Sequence, residues 1–239
     1  MLALALLWQP DPEIVRGLPT RTPVLVYHDV IERRDKKAVW FDCTAEEFRQ
    51  QLDAITEAGF SFVSIETLRK GLTGEATMPS RSVCLTFADG YEGFYRFAWP
   101  ILKERGIPAA MFVHTGFVGS KQGRPKMTWD QLREIDAGGV AVASQTVNHP
   151  ADLGKLDDAA LRKEMEASRA TLERELGHPV RDLAYPNGKW SPRVRDFARA
   201  SGYRLAFTEA QRIAETGESI LSVPRWVHTR WRDALKRAD

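Results

Sequence analysis

The sequence predicts one α/β domain built as a barrel of parallel strands, and its length, composition and alternation of elements indicate this. At 239 residues the chain lies at the upper end of single-domain lengths. Hydrophobic residues make up 43% and charged residues 28%, which is typical of a globular protein with a sizeable core. Short β-branched runs alternate with amphipathic stretches in roughly seven or eight units, which favours one closed or nearly closed barrel over two domains.

The predicted strands are short runs rich in β-branched and aromatic residues that lie between segments of different character. Parallel strands need crossover connections, so the amphipathic stretches between these runs are predicted as helices. The candidate strands are Pro23–Tyr27, Phe60–Ser64, Ser82–Phe87, Ala109–Val113, Ala141–Ser144, Asp182–Ala184, Arg204–Phe207 and Leu221–Val223.

Several helices carry readable start and stop signals. Thr44 with Glu47, and Thr128 with Gln131, have the spacing of a capping box before an apolar stretch. The longest helix is predicted over Asp158–Leu176, because apolar residues recur there every three or four positions on one face. The glycine and proline that follow it end the helix.

The chain is predicted to consist of an N-terminal extension over residues 1–19 and one domain over residues 20–239. Met1–Trp8 is apolar, but it is far shorter than the roughly 20 residues of a membrane span. It also lacks the basic start and small-residue cleavage site of a signal peptide. It reads as a trimmed or degenerate end, or as a core strand, and no membrane span is predicted. The loop Gly116–Lys126 reads as an insertion in the barrel.

Charge, cysteine content and glycine patterns exclude several functions. With 34 Lys and Arg against 32 Asp and Glu, the formal charge is +2, which is too small to predict a nucleic-acid partner. Cys43 and Cys84 cannot form a metal cluster alone; they are either two packing residues or a disulfide pair. No P-loop or dinucleotide glycine pattern occurs, so a phosphate-bearing cofactor has no support.

Polar residues follow several predicted strands, where the loops of a βα barrel carry function. These segments are His28-Asp29, Ala88–Gly90, Ser144–His149 and Tyr185–Gly188. Asp89 and His149 provide one carboxylate and one imidazole from separate strands, the minimum for a metal site with mixed oxygen and nitrogen ligands. The same residues also have ordinary structural interpretations, as a turn aspartate and a hydrogen-bonded loop histidine.

Four segments in order, Val26–His28, Thr86–Gly90, Ser144–His149 and Tyr185–Gly188, resemble the polysaccharide deacetylase family (NodB-type, carbohydrate esterase family 4). The resemblance extends from about Pro23 to His228 and is strongest to the subgroup acting on poly-N-acetylglucosamine. It implies a distorted (β/α) barrel of NodB type in a single domain. It also implies a hydrolase that uses a divalent metal to remove N-acetyl groups from a glycan.

Two positions depart from the family pattern. The family reads Thr-Phe-Asp-Asp-Gly, where the first aspartate is the general base and the second a metal ligand; here these positions hold Ala88 and Asp89. The family pattern Ser-His-Thr-x-x-His supplies two histidine ligands, and here Gln145 takes the first place while His149 keeps the second. The implied metal ligands are therefore Asp89, Gln145 and His149. Because an amide oxygen is a poor zinc ligand, the metal, zinc by family resemblance, is expected to be weakly bound or absent.

The resemblance also implies roles for residues outside the metal set. His228 matches the position of the family's late acid histidine, which makes it the candidate catalytic side chain. The candidate substrate-binding residues are His28, Tyr185, Asn187 and Trp226. Structural roles remain open for each of them, as a bracing histidine or as aromatic rings that pack in the core.

The sequence therefore predicts a polysaccharide deacetylase-type protein with a degraded active site, whose activity as an enzyme is left open. The alternative is a catalytically inactive protein that binds glycan. An engineered inactive variant explains Ala88 but not Gln145. The predicted partner is an N-acetylated polysaccharide, and by resemblance the protein acts outside the cytoplasm or in the cell envelope. The sequence does not indicate an oligomeric state.

Overall fold

The computed structural model describes residues 13–238, and a curled sheet of parallel strands lies at its centre. Its strands follow the chain in this order: β1 (Val24–Tyr27), β2 (Val30–Ile31), β3 (Cys43–Thr44), β4 (Ser61–Val63), β5 (Ser82–Phe87), β6 (Ala110–Val113), β7 (Ala141–Ser144), β8 (Asp182–Ala184), β9 (Leu205–Phe207) and β10 (Trp226–Val227). The main sheet has the order β10-β1-β5-β6-β7-β8-β9, β4 also pairs with β5, and β2 pairs separately with β3.

The residues before and within β10 bring the two edges of the sheet together. Val223 forms a parallel bridge with Phe207 at the end of β9, and Trp226 pairs with Leu25 of β1. One short segment thus contacts both edges and completes the curl. The arrangement matches the predicted distorted (β/α) barrel.

Helices surround the sheet. They are α1 (Ala45–Glu57), α2 (Ile65–Leu72), α3 (Trp99–Arg105), α4 (Trp129–Ala137), α5 (Asp158–Leu176), α6 (Pro192–Ala200) and α7 (Trp231–Ala238). Both predicted capping boxes are confirmed, at Thr44 for α1 and at Thr128 for α4. The longest helix has the predicted bounds, and Gly177 ends it in a left-handed conformation.

The last predicted strand was wrong. Leu221–Val223 is not a strand, and the pairing with β1 is made further along, at Trp226–Val227. Leu221 and Val223 pack into the interior, and Val223 forms an isolated bridge with Phe207 rather than a strand, so the apolar character of this run reflects burial. The two-stranded sheet of β2 and β3 was missed, because strands of two residues carry no periodic signal.

Alternating residues of each strand face two different apolar layers. On β5, Leu85 and Phe87 pack in the layer between sheet and helices, whereas Cys84 faces the interior of the curl. Cys43 and Cys84 are both free and buried, so they pack without a disulfide. Burial raises the pKa of each thiol to about 12, which keeps both uncharged.

The N-terminal prediction is only partly within the described residues. Met1–Trp8 lies outside them. Ile14 is buried, and the Val15 N–H donates to the Leu72 carbonyl (2.8 Å), so this part of the extension packs on the domain, and the boundary at residue 19 stays a prediction. Within residues 13–238, no helix combines the length and apolar character needed to cross a membrane.

Candidate functional site

The carboxyl ends of β5, β6 and β7 surround an open cleft with a volume of about 410 Å³. Parallel strands direct their carboxyl ends to one edge, so the loops that follow them meet there. The cleft is lined by Asp89, Tyr91, His114, Phe117, Gln122, Arg124, Lys126, Asn148 and His149. The structure therefore brings two of the predicted metal ligands, Asp89 and His149, to one site.

Asp89, Gln145 and His149 are close together, but they do not form a ligand set. The Asp89 N–H donates to Gln145 Oε1 (2.8 Å), and Gln145 is only 3% exposed. His149 Nε2 lies 3.7 Å from Asp89 Oδ1. The amide oxygen of Gln145 thus holds the Asp89 turn in place rather than facing the cleft.

The loops at this edge contain unusual backbone conformations. Asp89, Thr146, His149 and Asn187 have φ values of 70°, 69°, 52° and 55°. This left-handed region is costly for a residue with a Cβ, most of all for a β-branched threonine. Such residues are concentrated where side chains must be aimed precisely enough to bind or react, which supports a functional edge here.

Glu164 of α5 supports the loop that carries His149. Its Oε2 accepts hydrogen bonds from the N–H groups of Val147 and Asn148 (2.9 Å each), and its Oε1 accepts one from Asn148 Nδ2 (2.7 Å). The carboxylate is 8% exposed, so these bonds are shielded from water. Sequence analysis missed this residue, because it occupies an ordinary helical position.

Ala88 is fully buried, and its methyl group can accept no proton. Its N–H donates to the Tyr27 carbonyl (2.9 Å), so strand pairing extends through it. Position 88 therefore lies on the same face as Thr86. The hydroxyl of Thr86 lies 3.4 Å from Nη1 of Arg225, so a buried guanidinium is adjacent to this face.

Arg225 has no exposed surface and is only loosely paired. Its Nε donates to the Thr208 carbonyl (3.2 Å). Its Nη2 lies 3.5 Å from Glu209 Oε1 and makes no hydrogen bond among the described residues. Desolvation of an arginine that is not fully paired is costly. The interior of the barrel thus holds a cation whose ion pair with Glu209 is long.

Two further histidines lie at strand ends. His28 follows β1, and burial lowers its pKa although Asp89 and Glu209 oppose that effect. His114 follows β6, and its ring lies edge-on to that of His149 with centroids 5.4 Å apart. Burial lowers the pKa of His114 to about 4, so it is neutral near pH 7. The sequence prediction did not include His114. It directly follows a predicted strand, and the same position identified His28 as a candidate.

The remaining predicted site residues lie mostly behind the cleft. Tyr185 is fully buried, and its hydroxyl donates to the Leu221 carbonyl (2.9 Å). Trp226 is 5% exposed and packs in the apolar layer. Asn187 is exposed and its Nδ2 donates to the Ala151 carbonyl (3.2 Å). The side chains of Tyr185 and Trp226 therefore present no surface to a glycan.

His228 is 2% exposed, and its ring stacks on that of Tyr27 with centroids 4.8 Å apart. It borders a separate hollow near α1 and α7 with Gln51 and Trp231. Burial lowers its pKa to about 4. The structure places this candidate catalytic residue away from the cleft lined by Asp89.

The donor set does not fit a resident divalent metal. Zinc sites need three protein ligands or more from Cys, His and carboxylate. Among residues 13–238, no three His, Cys, Asp or Glu side chains are arranged to hold a metal ion. Gln145 is a poor third ligand for zinc, because it offers a neutral amide oxygen that already accepts from the Asp89 N–H.

Comparison with known proteins identifies the family. Residues 75–206 match the family described as polysaccharide deacetylase. This chain belongs to the polysaccharide deacetylase family. Members of this family generally depend on a divalent metal, so the altered donor set is a property of this chain within it.

Two solved structures and one characterised group of relatives show the likeness in detail. Deacetylase PplD of Streptococcus pyogenes, solved with acetate, is 26% identical with a TM-score of 0.83, over 92% of this chain and 99% of that one. IcaB of Ammonifex degensii is 29% identical with a TM-score of 0.79, over 92% and 97%. These confirm the NodB-type distorted barrel. The poly-β-1,6-N-acetyl-D-glucosamine N-deacetylase of Staphylococcus aureus is 26% identical over 62% of this chain and 54% of its own length.

Proposed function

We propose that this polysaccharide deacetylase family member binds an N-acetylated glycan in the cleft at Asp89 and His149, and that it hydrolyses the N-acetyl groups slowly. One observation carries the proposal: the cleft keeps Asp89 and His149, while the neighbouring base position holds the buried Ala88. The name of the S. aureus relative supports a polymer of N-acetylglucosamine as the substrate class.

Slow hydrolysis follows from the chemistry of amide cleavage. A positioned base that takes a proton from the attacking water contributes about 10²–10⁴-fold in rate. Two alternative carboxylates in the loops that follow β1 and β5, Asp29 and Glu92, are engaged elsewhere. Asp29 lies 3.2 Å from Arg124 Nη1, and Glu92 lies 3.6 Å from Lys121 Nζ. Neither of these carboxylates lines the cleft with Asp89.

Glycan binding does not require the missing groups. Sugar rings stack on exposed aromatic faces, and their hydroxyls and amides exchange hydrogen bonds with loop backbone. Phe117 lines the cleft and is 41% exposed, so it offers such a face. We place Asn187 at the rim and give Tyr185 and Trp226 an indirect part, in shaping the loops. His28 and His228 act behind the cleft by positioning its walls.

A second candidate, a glycan-binding protein without catalysis, is favoured by the engagement of Gln145 with Asp89. It differs from the first candidate only in the chemical step. Action outside the cytoplasm or in the cell envelope belongs to both proposals, because an extracellular glycan is the substrate class that the family resemblance implies.

Two measurements on one sample test the proposal. Calorimetric titration with an N-acetylglucosamine tetramer is expected to give a Kd of about 10⁻⁵–10⁻³ M, as for a small polar ligand. Phe117→Ala weakens this binding several-fold, whereas Trp40→Ala, a change at an aromatic residue that is 67% exposed and outside the cleft, leaves it unchanged. Acetate release from the same tetramer separates the two candidates. No heat at millimolar ligand in folded protein contradicts both.

A further inference from the structure

Lys126 is fixed next to the Asp89 turn by backbone pairing. The Met127 N–H donates to the Gly90 carbonyl (2.9 Å), and the Glu92 N–H donates to the Pro125 carbonyl (2.9 Å). Tyr91 and Lys126 face each other as an antiparallel bridge. The end of the 116–126 loop is therefore joined to the segment that directly follows Asp89, which holds the backbone of Lys126 beside the Asp89 turn.

The side chain of Lys126 also points into the shared cleft. Its Nζ lies 3.3 Å from the centroid of the Tyr91 ring, a close cation–π contact. It lines the cleft together with Asp89 and His149. The carboxylates of Asp89 and Asp29 act on it, and although burial lowers the pKa of Lys126 to about 8, the amine carries its charge at neutral pH.

The charges of the cleft are thus balanced without an added ion. Asp89 is the carboxylate that the family pattern assigns to the metal, and the Lys126 ammonium lies in the same cleft. A divalent cation that approached Asp89 would meet the like charge of this ammonium in a partly desolvated cleft, where such repulsion is strong.

We infer that the Lys126 ammonium supplies the positive charge that balances Asp89 in this cleft, and that it opposes binding of a divalent cation there. Loss of metal binding in this chain then has two causes, the missing ligand at Gln145 and a tethered cation at Lys126. The inference concerns the site of the proposed function, but it does not depend on glycan binding or on hydrolysis.

Cobalt binding to the full chain, after dialysis against a chelator, tests this inference by calorimetry and by the visible absorption of bound Co²⁺. Wild type is expected to bind substoichiometrically. Lys126→Leu, which removes the charge and keeps apolar contact with Tyr91, binds at least tenfold more tightly. Lys126→Arg retains the charge and behaves as wild type. Lys126→Leu combined with Gln145→His binds more tightly than either single variant.

Two results would overturn the inference. In the first, the Lys126→Leu variant binds Co²⁺ no more tightly than wild type, although its thermal transition shows that it is folded. In the second, the Gln145→His variant binds Co²⁺ stoichiometrically with Lys126 in place, and adding Lys126→Leu does not increase its affinity. Because no glycan is present, either result leaves the proposed function to its own test.

Discussion

Arg225 is a buried cation next to the strand face that carries Ala88, where the family pattern has a carboxylate. The guanidinium is fully buried, with Glu209 as a carboxylate at 3.5 Å and an Nη2 that makes no hydrogen bond among the described residues. A carboxylate introduced on the Thr86 face of β5 would lie next to this cation. Burying an ion is costly alone, but much less so beside an opposite charge with good geometry.

This pairing predicts an unusual tolerance for Ala88→Asp. We expect its free energy of unfolding to stay within about 1–2 kcal/mol of wild type, because the new carboxylate gains Arg225 as a partner. Ala98→Asp, a change at an equally buried position in the apolar layer between sheet and helices, should cost about 3–5 kcal/mol. Urea unfolding of both variants at pH 7 measures the difference, and equal losses would show that Arg225 gives no support at position 88.

Among single residues, the sequence predicted Asp89 and His149 of the site but not its cationic side chains. Asp89 and His149 were identified because each follows a strand of readable pattern. Arg225 and Lys126 were missed, because their importance depends on which strands and loops become neighbours across the barrel. Gln145 was identified as a weak ligand, and its actual partner, the Asp89 N–H, is a contact that spacing does not show.

Among the elements, the segment that follows β5 packs so closely against β2 that one glycine is required. A Cβ at Gly93 would overlap the carbonyl oxygen of Val30 and the carboxylate of Asp29. Gly93 directly precedes a one-turn π-helical segment, Phe94–Ala98, which buries Phe94 against the Phe87 ring (centroids 4.6 Å apart). Close approach here holds the wall of the barrel behind the cleft.

Gly93→Ala is therefore expected to destabilise the protein by about 1–3 kcal/mol, since backbone must shift to admit the methyl group. Gly154→Ala is the control, because the nearest atom to its Cβ is the Asp152 side-chain oxygen at 3.2 Å. Thermal unfolding of both variants checks this. If Gly93→Ala unfolds at the same temperature as Gly154→Ala, the backbone at Gly93 shifts to admit the methyl group without loss of stability.

Elements with local signals were predicted well, including seven of the eight predicted strands, whereas the two-residue strands β2, β3 and β10 were not predicted. The capping boxes of α1 and α4 and the bounds of α5 depend on residues three or four apart, so the sequence contains them. β10 depends on pairing with β1, nearly the whole chain away, and its prediction failed at Leu221. β2 and β3 pair only with each other, and each is too short to have a pattern.

For the whole molecule, we propose that a complete deacetylase barrel carries an incomplete active site. The sheet curls until β9 and β1 share one connecting segment, and the cleft at its carboxyl edge is in place. Ala88 and Gln145 occupy the positions that the family pattern gives to the base and to one metal ligand, and under the proposed function the glycan still binds while its hydrolysis is slow. Restoring both groups should then restore the reaction.

The most direct test is acetate release from an N-acetylglucosamine tetramer by Ala88→Asp/Gln145→His, assayed with excess Co²⁺ or Zn²⁺ beside wild type and both single variants. We expect the double variant to be faster than wild type by orders of magnitude, because base and metal act in the same step. Each single variant should gain little. Equal rates for wild type and the folded, metal-loaded double variant would contradict the account, since another group would then already serve as the base.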